Sequence, residues 1–152
     1  MIEKRILELG LKLPEAPKPI ASYIPAVRTA DLVFVSGQLP MIEGKLGCQG
    51  KIGRDCSAED ASRAAEICLM NALAAVKSVV ALEQVKRVVH LCGYFNCIDS
   101  FTDHSHLLNS ASELLERIFG ESGKHSRVAV GVASLPKNSP VEISMIVEIQ
   151  KM

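Results

Sequence analysis

From Ser57 onward the apolar residues Ala61, Ala64, Ala65, Cys68, Leu69, Ala72, Leu73, Val76, Val79 and Val80 recur at mostly three- and four-residue intervals. That period lays one continuous stripe along an α-helix. Ser57 followed by Asp60 forms the aspartate version of a capping box, which sets the helix start. The many alanines on the stripe permit close approach to a sheet. A second helix fits from about Ser105 to Phe119, closed by Gly120. Elsewhere the period drops to two or the residues turn β-rich, predicting strands over Ala26 to Ala30, Leu32 to Ser36, Val85 to Phe95, Arg127 to Ala133 and Val141 to Ile149. Asp31 marks the turn between the first two strands. Pro136 and Pro140 restrict the link between the last two to a turn.

Two segments stand outside this alternation. Ile2 to Leu9 suits a short amphipathic helix, stopped by Gly10 and by Pro14, Pro17 and Pro19, so residues 1–18 form a peripheral N-terminal arm. Pro40 to Cys56, with Gly44, Gly47, Gly50 and Gly53, reads as a loose hairpin and loop. It is not a phosphate-cradling loop, because Gly44-Lys45 is followed by Leu46 and Gly50-Lys51 by Ile52, where a Lys-Ser or Lys-Thr pair is needed. The element order β-β-α-β-α-β-β predicts an α+β sandwich, one mixed sheet with helices on one face, because each helix has a single apolar stripe to cover. Residues 1–152 are expected to form one domain.

Composition narrows the function classes. The 17 basic and 17 acidic side chains cancel and form no block of like charge, so no long-range field gathers nucleic acid or anionic lipid. Charged residues interrupt Met1 to Gly10, which excludes a secretory h-region, and no uncharged apolar stretch reaches the roughly 18 residues of a membrane span. A cytoplasmic location is expected. The cysteines, Cys48, Cys56, Cys68, Cys92 and Cys97, are odd in number and contain no C-x-x-C pair, so they read as reduced thiols, with Cys68 on a helix stripe.

Few residues offer chemistry. Along the strand opened by Arg127, the valines 128, 130 and 132 point one way, while Arg127, Ala129 and Gly131 point the other. Small neighbours beside a guanidinium leave room for a ligand, and the planar fork suits a carboxylate. Glu142 falls on the polar set of the last strand, opposite Val141, Ile143, Met145, Val147 and Ile149. On periodicity alone a surface ion pair on an edge strand is the better reading of the two residues. His104 and His106 flank Ser105 at a helix start without a carboxylate set to complete a metal site, so solvated histidines are expected and no metal. His125 is placed to sit at the rim of any cleft around Arg127. Cys92 and Cys97 would face opposite sides of one strand, and core packing is their expected role. Ser36 lacks the Gly-x-Ser-x-Gly elbow of a hydrolase.

The run Arg127-Val128-Ala129-Val130-Gly131-Val132-Ala133-Ser134-Leu135-Pro136-Lys137, followed by Val141-Glu142-Ile143, resembles the signature of the Rid family, the YjgF-type reactive imine deaminases also labelled L-PSP endoribonucleases. A second marker of that family, a strand ending Val-Ser-Gly-Gln-Leu-Pro, stands at Val35 to Pro40, and the tyrosine of its Gly-Pro-Tyr segment is Tyr23, preceded here by Ala21-Ser22. The resemblance covers about residues 20–150. It implies a chorismate-mutase-like subunit, three of which close into a homotrimeric barrel with a ligand cleft at each boundary. It further implies that Arg127 binds a substrate carboxylate and that Glu142 acts beside the attacking water. Tyr23, Ser36, Gly37 and Ala129 would line the pocket, and the substrate would be a small carboxylate-bearing imine or enamine, handled without a cofactor.

Departures mark a distinct subgroup. His125-Ser126 precede the arginine where deaminating relatives commonly have Pro-Ala, Ala129 replaces a cysteine or small polar residue, and the helix face keeps Asn109 but carries Leu108 and Ser112. The alternatives are a non-catalytic carboxylate-binding or regulatory trimer and, last, an endoribonuclease, which the neutral charge and the 4% aromatic content disfavour.

Overall fold

In the computed structural model, which describes residues 1–16, 18 and 21–151, a short helix α1 (Ile2–Glu8) precedes the strands β1 (Ala26–Thr29) and β2 (Leu32–Gln38). The minimal hairpin β3 (Met41–Ile42) and β4 (Lys45–Leu46) follows, then helix α2 (Ala58–Lys77), strand β5 (Val85–Asn96), helix α3 (His104–Phe119), and strands β6 (Ser126–Val132) and β7 (Val141–Ile149). The five-stranded sheet runs β1-β2-β7-β5-β6, with β5 and β6 parallel and the other pairs antiparallel. The parallel strands β5 and β6 follow one another in the chain through α3, the long crossover that parallel neighbours need. The α+β arrangement expected from the hydrophobic pattern is the one adopted.

Side-chain alternation decides which face the helices cover. Along β7, Val141, Ile143, Met145, Val147 and Ile149 are buried, while Glu142, Ser144, Ile146 and Glu148 are only partly so. The buried set meets Leu91 and Phe95 of β5, Val33 and Val35 of β2, and the stripes of α2 and α3. Ser57 caps α2 as its spacing predicted: its hydroxyl accepts from the Asp60 amide, and the Asp60 carboxylate accepts from the Ser57 amide. The helix buries Ala61, Ala64, Ala65, Cys68, Leu69, Ala72, Leu73 and Val76. Gly120 ends α3 at φ 64°, a left-handed conformation that glycine adopts at little steric cost.

The opposite face of the sheet carries no helix among the described residues. It presents Phe34, Val128 and Val130 at 42%, 40% and 38% exposure, beside Tyr94 and Glu142, an unusually apolar surface for solvent.

Three expectations are corrected. Cys48 and Cys56 are not free thiols but a disulfide, their Cα atoms 6.7 Å apart, because the loop between them turns back at Gly50 and Gly53, both at positive φ. An odd cysteine count left room for one such pair; Cys68, Cys92 and Cys97 remain free. The N-terminal arm is more than an appendage over α1: Ile6 is 1% exposed in the core, Arg5 Nε donates to the Arg117 carbonyl and Lys77 pairs with Glu3. Pro17 and Pro19, named as helix stops, lie outside the described residues. Finally, His104 is not a solvated histidine; it is half-buried against Phe95 and Phe101.

Candidate functional site

The residues singled out in the sequence fall into two groups on opposite faces of the sheet. Arg127 is registered with Leu91, a core residue, so its side chain leaves β6 on the helix face and runs beneath α3. There Nη1 donates to Ser112 Oγ at 3.0 Å, while Nη2 donates to Asn109 Oδ1 at 2.8 Å and to the Ser105 carbonyl at 3.1 Å. A guanidinium has five N–H donors. Three are thus committed to orienting the side chain, and the Nε hydrogen and one Nη1 hydrogen have no protein acceptor among the described residues.

Behind Arg127 stands His125. Its Nδ1 lies 2.6 Å from the Gly123 carbonyl, which can only accept, so Nδ1 carries the hydrogen. In the neutral ring Nε2 is then the acceptor of the Ser112 hydroxyl hydrogen, 2.9 Å away. A continuous chain therefore runs from Arg127 N–H to Ser112 O–H to His125, and on to the backbone. Ser112 and Asn109 are the positions where the helix face departs from and keeps the family pattern; together they hold the arginine.

Glu142 is registered with Tyr94 on β5 and leaves β7 on the open face. Burial pushes its carboxyl above the usual carboxylate range. Gly37 is what makes room for it, since any side chain at Gly37 would collide with the Glu142 carboxylate. Ser36 works locally: its hydroxyl donates to the Ile24 carbonyl at 2.7 Å and its amide to the Pro25 carbonyl at 2.9 Å, which pins the segment after the half-exposed Tyr23 to β2. The pairing of β2 with β7 shifts register between Val35 and Gln38, and this bulge re-aims the Ser36-Gly37 backbone toward Glu142. Ser36, Gly37 and Glu142 thus share the open side of the sheet, with Tyr23 just before the residue whose carbonyl Ser36 holds.

Within one chain the two groups do not meet. β5 lies between β7 and β6, which puts about 10 Å of sheet between Glu142 and Arg127 besides their opposite faces. Ala129 packs against the core beside Arg127, and the bare strip expected along this side of β6 opens farther on, at Gly131. A cleft of about 350 Å³ lies there, lined by Cys97, Asp99, Phe101, His104 and Gly131 among others. Sequence reading missed it. Cys97 and His104 are seven residues apart in a turn, with no periodicity to link them, and no described group of His, Cys, Asp and Glu side chains has the geometry to hold a metal.

Residues 3–149 match the family model described as "YjgF/chorismate_mutase-like, putative endoribonuclease". Among solved structures, that of an Agrobacterium tumefaciens protein of unknown function is 44% identical, with a TM-score of 0.91 over 98% of this chain and 92% of that one. A Trypanosoma cruzi protein, TCP17, is 36% identical over 97% of this chain and 94% of its own length. A Dermatophagoides farinae protein named 2-iminobutanoate/2-iminopropanoate deaminase is 32% identical over 99% of this chain and 100% of its own. With its sheet order, its Arg127 and Glu142 strands and a match spanning nearly its whole length, the chain belongs to the YjgF/Rid family.

Proposed function

We propose that the protein hydrolyses reactive 2-imino and 2-enamino acids to 2-keto acids and ammonia, working as a homotrimer. The observation that carries this reading is Arg127: a guanidinium held in one orientation by Ser105, Asn109 and Ser112, with two N–H donors left for a ligand, on a sheet whose family includes a relative named for this activity. The substrate carboxylate sits on Arg127, which fixes the C=N carbon in place. Water adds to that carbon, and the amine leaves as ammonia after taking a proton. Glu142, its proton held more tightly through burial, gives that proton and recovers one from the attacking water. Tyr23, Ser36, the Gly37 backbone and Ala129 form the walls. The imine is already electrophilic, so this route needs no cofactor and no metal.

Arg127 and Glu142 face opposite sides of one sheet, so the site requires a second chain, with β6 of one subunit beside the Tyr23, Ser36 and Glu142 region of the next. β6 is an edge strand and the other group lies toward the far edge, which suits closure into a ring.

The test is ammonia and keto-acid release from 2-iminopropionate generated in situ by an amino-acid oxidase. The wild type accelerates it, and Arg127→Ala lowers kcat/KM by at least about 100-fold, the scale of a lost positioning interaction. An unchanged rate in that variant would sink the assignment. A second reading, a non-catalytic carboxylate-binding trimer, draws on the commitment of three Arg127 donors to α3. It wins if no imino acid is turned over while small carboxylates raise the melting temperature only when Arg127 is present. Ribonuclease action ranks last on the zero net charge.

A further inference from the structure

The cleft beyond Ala129 holds a thiol and an imidazole brought together from separate elements. Cys97 lies just past β5, His104 is the first residue of α3, and Gly131 is on β6. Cys97 Sγ and His104 Nε2 are 3.4 Å apart. Gly131 makes the meeting possible, because a Cβ there would lie 2.5 Å from Nε2 and 2.8 Å from Sγ. The ring of Phe101 packs edge-on against His104, with centroids 5.6 Å apart, and fixes the imidazole plane. Lys51 borders the same wall: its ammonium donates to the Ala133 carbonyl, which lines the cleft, and to Asn96 Oδ1 at 2.9 Å. An ammonium has three donors, so one is left over.

We propose that this cleft is a second reactive site, in which the Cys97 thiol, with His104 as its base, adds to small α,β-unsaturated carbonyl compounds. Burial, and to a lesser degree Asp99, holds the thiol above its usual range against an opposing pull from Lys51; at 3.4 Å, Nε2 is within reach of the thiol hydrogen when the ring carries its own hydrogen on Nδ1. As Sγ bonds to the β-carbon, the S–H proton passes to Nε2 and the C=C pair moves onto the α-carbon and carbonyl oxygen. The proton then returns from Nε2 to the α-carbon. One S–C and one C–H bond form, the S–H and C=C π bonds break, and nothing leaves. Lys51 stands on the side where the enolate oxygen gains charge. Asp99, also at the cleft, disfavours anionic compounds and leaves neutral ones preferred.

The site is independent of imine hydrolysis, and its test uses a different readout. The full chain, without reductant so that the Cys48–Cys56 bond stays closed, is treated with acrylamide near neutral pH, and adducts are followed site by site by peptide mass spectrometry. Cys97 is expected to react at least about tenfold faster than Cys92 although it is the more buried, with His104→Asn removing that advantage and leaving the Cys92 rate unchanged. Cys97 reacting no faster than Cys92, or His104→Asn slowing both alike, overturns the proposal. Should His104→Asn fail to fold, His104→Gln takes its place, and a Cys97 rate unchanged by it overturns the proposal.

Discussion

Glu142 leaves the central strand of the sheet toward the face that no described helix covers, yet it is partly buried, and desolvation alone raises its affinity for a proton. The sign of the consequence follows from linkage. A carboxyl whose folded pKa lies above its unfolded value favours the folded state fully below the unfolded pKa and loses that contribution as pH rises through the folded one. Replacing it with the neutral isostere, Glu142→Gln, should therefore leave the melting temperature unchanged below about pH 4 and raise it around neutral pH. Equal shifts at both pH values would show that burial is not what tunes this group. Arg127 represents the opposite design. Its charge is permanent, so the fold controls orientation only, through Ser112, Asn109 and the Ser105 carbonyl. His125 acts at one remove, through its 2.9 Å contact with the Ser112 hydroxyl, which holds the oxygen that Arg127 meets.

At the scale of elements, two features of the helices differ in weight. The capping box at the start of α2 satisfies backbone donors at a solvated end, so Ser57→Ala should cost about 1 kcal/mol. Leu115 on α3 is fully buried between helix and sheet, and Leu115→Ala should cost about 2–5 kcal/mol, because the cavity left behind adds to the lost transfer energy. Urea titration of both variants checks the order; a larger loss at Ser57 would mean that helix initiation, rather than packing, limits stability. The exposed pairs Lys4–Glu8 and Lys124–Glu121 belong to neither class, since solvent screens them. The disulfide between Cys48 and Cys56 closes the loop that carries Lys51, whose ammonium and amide are tied to Asn96, Ala133 and Asp55. That loop is thereby a wall of the cleft rather than a free excursion.

For the whole molecule, the open face of the sheet is the dominant feature. Phe34, Val128 and Val130 stand exposed among Tyr94 and the half-buried Glu142, and hydrophobic groups so arranged lower their free energy by meeting other chains. In the trimeric reading this face lines the barrel. Sedimentation should then give three copies of the 16.4 kDa chain, and Val130→Asp, which puts a charge on that face, should yield monomers with deamination lost. A wild-type monomer that still deaminates would remove the shared cleft from the mechanism.

The sequence by itself determined the elements and the family. Helix and strand periods are local, and each stripe of Ala, Leu and Val names the face it must bury, so the order β-β-α-β-α-β-β and the α2 cap were legible without coordinates. The Arg127 to Lys137 and Val35 to Pro40 runs carried the family in the same local way. Only the tertiary structure decided that Arg127 and Glu142 emerge on opposite faces. That depends on register across β7, β5 and β6, where Arg127 stands beside Leu91 and Leu91 beside Met145, while Glu142 stands beside Tyr94, an odd number of residues away. It also decided that Cys48 finds Cys56 and that Cys97 finds His104. Such encounters depend on loop closure and on the absence of a side chain at Gly131, and no periodicity along the chain records them.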